Sequence, residues 1–545
     1  MHYSQGLKFV ARMFGGLAAI ALFSQPAQSA ERIYLSYGIL ERSISITALE
    51  EYARSGILDS DLYVYSQYLD PKQLETIRQV LQTRADLSPV AVSQFLYTPQ
   101  GEALLRRLGQ VIQPESRDTG FFAIRAALIL ASAEGGLTPL NVLRKFPTRG
   151  IRVDLQRSLE IASSLGDAIN ETNQATQAIA RIAEQDASSL PPNTVVPDLS
   201  ARGSFSWDRE TLQLVDRSRR FVQALGNDRV FPVDVYLPRT RAQSIPVIVI
   251  SHGLGSDRAT FRYLAEHLAS YGFAVAVPEH PGSNAKQLQA LIAGTASDVA
   301  NPSEFLDRPL DIKYLLDELT RRSQSDARYS RLNLKNVGVV GQSFGGYTVF
   351  ALAGASLNFA QLNQDCQTAA LDNTLNISLL LQCRAAVLPT INYNLSDPRV
   401  KAVIAINPIT SSVFGQSQLN QIKVPTMIVA GNADTVAPAL PEQIIPFTWL
   451  QTPDRYLALI DRGTHFSVLG ESQDEAVPVP PEVIGPSPPL ARRYMSALSL
   501  AFFQTYIANQ ASFRPYLSAA YARSLSQEPL PLNVVRSLSV AELQR

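Results

Sequence analysis

The chain has 545 residues, which is too long for one small module and is typical of a protein with two domains. Its 48 basic and 48 acidic side chains cancel, so it lacks the positive surplus on which nucleic-acid binders depend. With 46% hydrophobic and 18% charged residues, it is too apolar for disorder and too polar for many membrane spans. We expect a soluble globular protein with no nucleic-acid partner.

The first thirty residues have the layout of a secretory signal peptide. Lys8 and Arg12 precede an apolar run from Met13 to Phe23, and small residues follow it. The run is shorter than the roughly 20 residues that a helix needs to cross a bilayer. The pattern predicts that residues 1–30 are removed and that the protein is exported, to the periplasm or the medium. An uncleaved anchor or a frayed helix is the alternative.

The next part of the chain predicts an all-helical domain over residues 31–187. Apolar residues recur there every three or four positions, with almost none of the alternation that strands show. Asp70, Ser88 and Thr98 each stand before a proline. A capping side chain followed by proline predicts the start of a helix at each of these positions.

The stretch 153–187 is long and amphipathic, so it packs against the next domain or, alternatively, makes a peripheral contact with a membrane. Serines and prolines follow, and we interpret residues 188–200 as a linker. Short β-branched runs then alternate with helical stretches, which predicts an α/β domain over residues 201–545 with a doubly wound, mostly parallel sheet. Residues 356–398 are too long for a connection and predict an insertion at the carboxyl edge of the sheet.

Cys366 and Cys383 are the two cysteines of the chain, and both lie in this insertion. In an oxidising compartment neither has a competing partner, so a disulfide is predicted, with two separate buried thiols as the alternative. Closing a loop of this size would stabilise the fold by roughly 3 kcal/mol. Neither the cysteines nor the five histidines have metal-ligand spacing, so we expect no metal and no cofactor.

A candidate nucleophile stands in the motif Gly341-Gln342-Ser343-Phe344-Gly345. An apolar run precedes this motif and a helical stretch follows it, which is the strand–turn–helix setting of a nucleophile elbow. Glycine on either side suits a turn so sharp that larger side chains would collide with the backbone. We predict that Ser343 attacks the substrate; the alternative is a serine that only caps the helix.

A serine hydroxyl needs a neighbouring base, which is normally a histidine held by a carboxylate. His465 is the only histidine after Ser343, and it follows the last predicted strand of the parallel series, where a base is expected. Asp434 follows the strand before it and is the predicted acid. Asp461 is the rival, although its closeness to His465 in sequence makes the required hydrogen bond harder to form.

Acyl transfer also generates an oxyanion, which requires backbone N–H donors. The amide of Phe344 follows the nucleophile, and the glycine-rich turn 251–256 follows another apolar strand. We expect Leu254 and Phe344 to supply the two donors, and His252 to orient the turn by hydrogen bonding. The alternative is that this turn is an ordinary glycine-rich loop.

These motifs resemble the α/β-hydrolase superfamily, in particular its platelet-activating-factor acetylhydrolase type II and dienelactone-hydrolase-like branch. The resemblance covers about 203–513 and rests on the two motifs above together with 235–238 and 279–283. The helical half resembles an uncharacterised domain found ahead of such hydrolases in photosynthetic bacteria. The resemblance implies a serine esterase or lipase without a metal, which cleaves small esters or short acyl groups from phospholipids.

Two positions depart from these relatives. In the acetylhydrolases the acid follows an earlier strand, at the place where this chain has Asn407, so the acid is expected at Asp434, the more general superfamily position. Dienelactone hydrolases use a cysteine nucleophile, whereas position 343 is serine. We therefore predict an exported serine esterase similar to 1-alkyl-2-acetylglycerophosphocholine esterase, acting on a small-molecule or phospholipid ester. A serine peptidase on the same fold and a catalytically silent binding scaffold are the alternatives.

Overall fold

The structure is a computed structural model that describes residues 29–134, 136–187, 197–221, 228–472 and 481–543. Residues 1–28 of the predicted signal peptide and residues 188–196 of the predicted linker lie outside the described residues. The chain divides into two compact units, Met1–Ser163 and Ser164–Arg545, and the division falls upstream of the predicted linker. In the part of the chain that is described, no helix is both long enough and apolar enough to cross a bilayer.

The first unit contains a small sheet, so the prediction that this part is all helical is wrong. Its strands are Arg32–Tyr37 (β1), Leu40–Ser45 (β2), Ile112–Pro114 (β3) and Gly150–Asp154 (β4), in the order β2-β1-β4-β3. These strands have only three to six residues, which is too short to show a clear alternation. β1 and β4 pair in parallel, with Arg32 opposite Gly150, and so distant a pairing leaves no local pattern in the sequence.

The predicted helix starts in this unit are confirmed. The side chains of Asp70, Ser88 and Thr98 each accept a hydrogen bond from the backbone amide three residues later. Each of these bonds satisfies an amide that has no partner inside the helix, which stabilises the start. The described helices of the unit are Ile46–Ser55 (α1), Ser60–Ser66 (α2), Pro71–Gln82 (α3), Pro89–Leu96 (α4), Pro99–Val111 (α5), Phe121–Ala133 (α6) and Pro139–Arg144 (α7).

The predicted amphipathic stretch is a single helix, Leu155–Ala187 (α8), and the division between the units lies within it. Ala175, Ile179 and Ala183 are buried in the main core of the second unit. They are spaced by four residues and therefore share one face of the helix. Packing against that core accounts for the apolar stripe in this part of α8.

A sheet of nine strands forms the centre of the second unit, in the order β13-β12-β11-β10-β9-β7-β8-β6-β5. The six strands from β12 to β8 in this order are parallel to one another, whereas β13, β6 and β5 pair antiparallel. The prediction of a mostly parallel sheet is confirmed. The strands are Trp207–Asp216 (β5), Arg229–Pro238 (β6), Ile245–Ser251 (β7), Ala274–Pro278 (β8), Leu332–Gln342 (β9), Val400–Ile406 (β10), Thr426–Gly431 (β11), Arg455–Ile460 (β12) and Leu532–Val535 (β13).

Helices cover both faces of this sheet, which is why its strands are continuously apolar. In β7, Val247 and Val249 belong to one core cluster while Ile248 and Ile250 belong to the other, because successive side chains point to opposite faces. The helices are Arg262–Ser270 (α9), Ala285–Ile292 (α10), Glu304–Ser325 (α11), Phe344–Leu352 (α12), Phe359–Asp365 (α13), Thr368–Asn373 (α14), Ser378–Gln382 (α15), Gly415–Leu419 (α16), Ile445–Trp449 (α17), Pro481–Ile484 (α18), Pro488–Tyr506 (α19), Ala519–Leu525 (α20) and Val540–Leu543 (α21). Short 3₁₀ turns lie at Arg217–Phe221, Arg258–Phe261, Cys383–Val387 and Ala511–Leu517, and a π-helical turn lies at Leu440–Ile444.

The predicted disulfide is present: Cys366 and Cys383 are bonded, with their Cα atoms 5.4 Å apart. It joins the residue after α13 to the residue after α15 within the predicted insertion. The side-chain carbonyl of Gln382 accepts hydrogen bonds from the backbone amides of Ser412 and Val413, at 2.9 and 3.0 Å. These two residues follow β10, so the insertion is attached at the carboxyl end of that strand.

Candidate active site

Ser343 occupies a strained turn between β9 and α12. Its φ of 56° and ψ of −115° place a non-glycine residue in a region that costs free energy and persists only where the surroundings enforce it. Its amide donates to the carbonyl of Ile406 in β10 at 2.8 Å, which helps to fix the turn. Strand, strained serine and helix together have the strand–turn–helix geometry that a nucleophile elbow requires.

The two glycines of the motif are required by close backbone approach. A Cβ atom on Gly341 would lie 2.0 Å from the carbonyl oxygen of Gly345. A Cβ atom on Gly345 would lie 2.1 Å from the carbonyl oxygen of Ser251, at the end of β7. Neither backbone contact can yield as a flexible side chain would, so glycine is needed at both positions for the elbow to sit beside β7.

His465 and Asp434 are brought together by a hydrogen bond of 2.7 Å between Nδ1 and Oδ2. Asp434 follows β11 and His465 follows β12, and the ends of neighbouring parallel strands meet at one edge of the sheet. The rival acid Asp461 instead accepts a hydrogen bond from the amide group of Asn432, at 2.7 Å. With Nδ1 donating to a carboxylate, Nε2 of the neutral imidazole is the atom that can accept a proton.

Four further donors orient the carboxylate of Asp434. Its Oδ1 accepts from the backbone amides of Val436 and Ala437, at 2.9 and 2.8 Å. Its Oδ2 accepts from the side-chain amides of Asn407 and Gln443, at 2.9 and 3.2 Å. These bonds fix the position of Oδ2, the oxygen that accepts the hydrogen bond from Nδ1 of His465. The acid of a catalytic triad must be held in this way.

Ser343 is linked to His465 through its neighbour in sequence. The side-chain amide of Gln342 donates to the carbonyl oxygen of His465 at 3.1 Å. Within the described residues no hydrogen bond joins the Ser343 hydroxyl to the imidazole of His465. Hydrogen bonds of this kind are often long in proteins without a bound substrate. Ser343, Asp434 and His465 are 6%, 5% and 4% exposed, so the serine retains limited solvent access.

The predicted oxyanion turn lies directly against the elbow. A Cβ atom on Gly253 would lie 2.2 Å from the side-chain oxygen of Gln342, so the turn approaches the residue before the nucleophile. Among the residues that the structure describes, the backbone amides of Leu254 and Phe344 donate no hydrogen bond to another protein group. Both amides are therefore available to an oxyanion, as the prediction for these residues requires.

His252 orients the predicted oxyanion turn. Its Nε2 accepts from the backbone amide of His280 at 3.1 Å, so the proton of the neutral ring is on Nδ1. Nδ1 then donates to the carbonyl of Gly253 at 2.8 Å. In a trans peptide the N–H points away from the C=O, so this bond sets the direction of the Leu254 amide. Burial lowers the pKa of His252, which keeps the ring neutral.

A second set of serine, histidine and aspartate lies beneath the turn, and the sequence motifs do not indicate it. His280 contacts the hydroxyl of Ser251 through Nε2 at 3.0 Å and the carboxylate of Asp311 through Nδ1 at 2.8 Å. All three side chains are fully buried. Two further hydrogen bonds were also not predicted, from Gln342 to His465 and from Asn407 to Asp434. The position of Asn407 at the end of β10 is the one sequence signal that could have indicated the second bond.

No metal site accompanies these residues in the described ranges, where no three His, Cys, Asp or Glu side chains are grouped as ligands would be. The arrangement consists of organic groups alone: a hydroxyl, an imidazole, a carboxylate and backbone amides. Such a set can perform acyl transfer through a covalent intermediate.

The nine-stranded, mostly parallel sheet with a serine elbow after its central strand defines an α/β-hydrolase fold. Comparison with known families agrees with this assignment. Residues 29–154 match the model of an alpha/beta hydrolase of unknown function (DUF1400), and residues 214–308 match that of platelet-activating factor acetylhydrolase, isoform II. The resemblance to these hydrolases that the motifs indicate is thereby confirmed. No curated protein matches the chain.

Proposed function

We propose that this protein is an exported serine hydrolase that cleaves carboxylic esters. The observation that carries the proposal is the strained elbow of Ser343 beside a hydrogen-bonded His465–Asp434 pair, at one edge of a parallel sheet. A serine on such a turn, a base and an orienting acid are the parts of a Ser-His-Asp triad.

In the first half of the reaction, the Ser343 hydroxyl attacks the acyl carbon of the ester while His465 Nε2 takes its proton. The carbonyl oxygen becomes an oxyanion, which accepts hydrogen bonds from the amides of Leu254 and Phe344. Asp434 holds the imidazolium through Nδ1. The tetrahedral intermediate then collapses, and the leaving alcohol takes the proton from Nε2.

In the second half, water attacks the acyl group on Ser343. His465 takes a proton from that water, a second tetrahedral intermediate forms, and its collapse returns the proton to the serine oxygen. The products are a carboxylic acid and the free enzyme. Each proton that leaves an attacking oxygen is returned to a leaving oxygen, so no other reactant is required.

A lipid ester with a short acyl group is the proposed natural substrate, with small esters as the wider class. The match to platelet-activating factor acetylhydrolase over residues 214–308 supports this choice, because it covers the Leu254 turn. Export is supported by the Cys366–Cys383 disulfide, since disulfides persist in oxidising compartments. The signal-peptide layout of residues 1–30 supports the same location.

A chain-length series of p-nitrophenyl esters, run beside a phospholipid with an acetyl group at the second position, tests the proposal. We expect turnover to be fastest for the shortest acyl groups and to include the phospholipid. Hydrolysis of peptide amides at rates comparable to esters would instead favour a peptidase. No turnover of any ester, together with no labelling by a fluorophosphonate, would favour a silent binding scaffold.

A further inference from the structure

Arg308, in the second turn of α11, is fully buried against both halves of the candidate oxyanion hole. Its Nη2 donates to the carbonyl oxygen of His252 at 2.6 Å. Its guanidinium carbon lies 4.6 Å from the centre of the Phe344 ring. One side chain therefore contacts the residue that orients the Leu254 amide and also the residue that carries the second amide.

This guanidinium lacks the partners that buried arginines normally have. Nε and Nη1 are buried without a hydrogen-bond partner, and Arg308 makes no salt bridge with any carboxylate in the described ranges. An unpaired charge in a protein interior costs several kcal/mol. Packing alone would favour an uncharged side chain at this position, so the charge, or the contact of Nη2 with the carbonyl oxygen and Nδ1 of His252, serves another purpose.

Carboxylates are present nearby, but other arginines pair with them. Arg219 bonds to Asp307 and Asp311 of α11, and Arg229 bonds to Asp311 and Glu304. Glu304, Asp307 and Asp311 are therefore engaged by other arginines, and Nη2 of Arg308 instead contacts the turn that follows β7. Burial lowers the pKa of Arg308 to about 10, so it still carries its positive charge at neutral pH.

The bond to His252 fixes the peptide next to the one that faces the oxyanion. The His252 carbonyl is held by Arg308, and the Gly253 carbonyl is held by the ring of His252. Two successive peptides thus have fixed orientations: a flip of the Gly253–Leu254 peptide would redirect the Leu254 amide, and a flip of the preceding peptide would break the bond to Arg308. The positive charge behind them also stabilises negative charge that develops in front.

We propose that Arg308 is a positioning residue of the oxyanion hole, which holds the His252 peptide and the Phe344 ring in the orientation that the transition state requires. The inference rests on the proposed ester hydrolysis. It predicts that removing the guanidinium weakens stabilisation of the oxyanion while the nucleophile remains intact.

The test compares Arg308→Met with Arg125→Met in the full-length protein. Arg125 is a matched control in the first unit: it is buried, stacks on Tyr97 at 4.2 Å and donates to the carbonyl of Leu96 at 3.2 Å, although it also pairs with Glu102. Turnover of p-nitrophenyl acetate is divided by the number of sites that a fluorophosphonate labels at completion, so misfolded protein is not counted.

For Arg308→Met we expect kcat per labelled site to fall by about 10- to 100-fold, with KM within about twofold, because loss of one whole oxyanion donor costs about 10²–10³. Affinity for a trifluoromethyl ketone, whose adduct with serine carries an oxyanion, is expected to fall by a similar factor. For Arg125→Met we expect both quantities to stay within about twofold. Guanidinium ion added to Arg308→Ala is expected to restore part of the lost kcat.

Three results would overturn the inference: an unchanged kcat per labelled site in Arg308→Met, a loss that Arg125→Met reproduces, or a loss of kcat without weaker binding of the ketone. If Arg308→Ala does not fold, Arg308→Met alone decides. Failure of the proposed function is distinguishable, because the wild-type protein would then neither hydrolyse the ester nor react with the fluorophosphonate.

Discussion

Two sets of serine, histidine and aspartate lie close together in this fold, because Gly345, two residues after Ser343, packs against the backbone of Ser251. In the candidate triad, the carboxylate holds the histidine, and the serine has no hydrogen bond to it within the described residues. In the buried set, Ser251, His280 and Asp311 are joined by contacts of 3.0 and 2.8 Å. Judged by hydrogen bonds alone, the buried set is the more complete of the two.

What separates the two sets is the environment of each serine. Ser251 is the last residue of a regular strand and is fully buried, so no ester can reach it. Ser343 lies on the strained elbow at the start of α12, close to two amides that have no partner among the residues that the structure describes. Asp311 is also engaged by Arg219 and Arg229, whereas Asp434 is held by neutral donors. Three side chains in contact are therefore not sufficient for chemistry, which also needs access and oxyanion donors.

The largest expected difference between the sets is in their serines. Ser343→Ala should lower kcat/KM for p-nitrophenyl acetate by about four orders of magnitude or more and abolish fluorophosphonate labelling, because the nucleophile is lost. Ser251→Ala should retain labelling at every folded site and lose only about 1–3 kcal/mol of stability, because His280 loses a buried partner. Labelling of Ser343→Ala, or loss of labelling in Ser251→Ala, would reverse the assignment of the two sets.

Substitutions of the two aspartates should differ nearly as much in their effects on activity and stability. Asp434→Asn is expected to reduce kcat by about 10⁴, because an amide at this position favours the wrong tautomer of His465, and to leave the unfolding midpoint in urea close to that of the wild type. Asp311→Asn should have the opposite result. It leaves Arg219 and Arg229 short of a buried carboxylate, which costs about 3–5 kcal/mol, while kcat per labelled site changes little. Equal effects of the two substitutions on kcat would contradict the comparison.

A smaller effect is expected from moving the acid of the candidate triad to Asn407. The side-chain amide of Asn407 lies 2.9 Å from the Asp434 oxygen that bonds to His465, so a carboxylate at 407 comes close to the same imidazole. In the double variant Asn407→Asp/Asp434→Asn we expect about tenfold more activity than in Asp434→Asn alone. Activity no higher than that of Asp434→Asn would show that position 407 cannot replace the acid.

The smallest expected effect concerns the pH dependence of stability. Burial, reinforced by the charge of Arg308, holds the pKa of His280 well below its ordinary value of about 6.5. The unfolded chain binds a proton at this residue below about pH 6.5 and the native protein does not, so stability is fully present above that pH and declines as pH falls, by up to about 1.4 kcal/mol per pH unit.

His280→Gln should reduce the slope of the unfolding free energy against pH by up to about 1.4 kcal/mol per pH unit, which corresponds to one bound proton. Urea unfolding at several values between pH 5 and pH 8 measures the slope, with His267→Gln as the comparison, since burial lowers the pKa of His267 to about 4 and it lies outside both sets. An unchanged slope in His280→Gln would show that His280 binds its proton over the same pH range in the native and the unfolded protein.

The parts of the candidate site that can be inferred from sequence are those encoded locally. Gly341 and Gly345 flank Ser343 within five residues, so the motif can be recognised locally, although only the contact of Gly341 lies inside the turn and that of Gly345 is with Ser251 of β7. The order of Ser343, Asp434 and His465 along the chain follows from the order of the strands that carry them. Asn407, in contrast, could be rejected as an acid but not recognised as the donor that orients Asp434.

The first unit shows the limit of the same reasoning. Its helices were predictable because each cap lies within three residues of the amide that it accepts from, as for Asp70 and Ser88. β1 and β4 lie near the two ends of this unit in sequence, with Arg32 paired to Gly150. Nothing within either short strand indicates its partner. For this reason the sequence predicted that the whole unit is helical.

Local sequence patterns were enough to predict a hydrolase with a serine nucleophile, because nucleophile elbows, helix caps and buried strands each depend on a few consecutive residues. The contact of Arg308 with His252, 56 residues apart, and the sealing of Ser251, His280 and Asp311 depend on how α11 packs beside β7 and β8. Such contacts arise only when distant segments meet, because burial and charge pairing are properties of the folded interior and not of any stretch of chain.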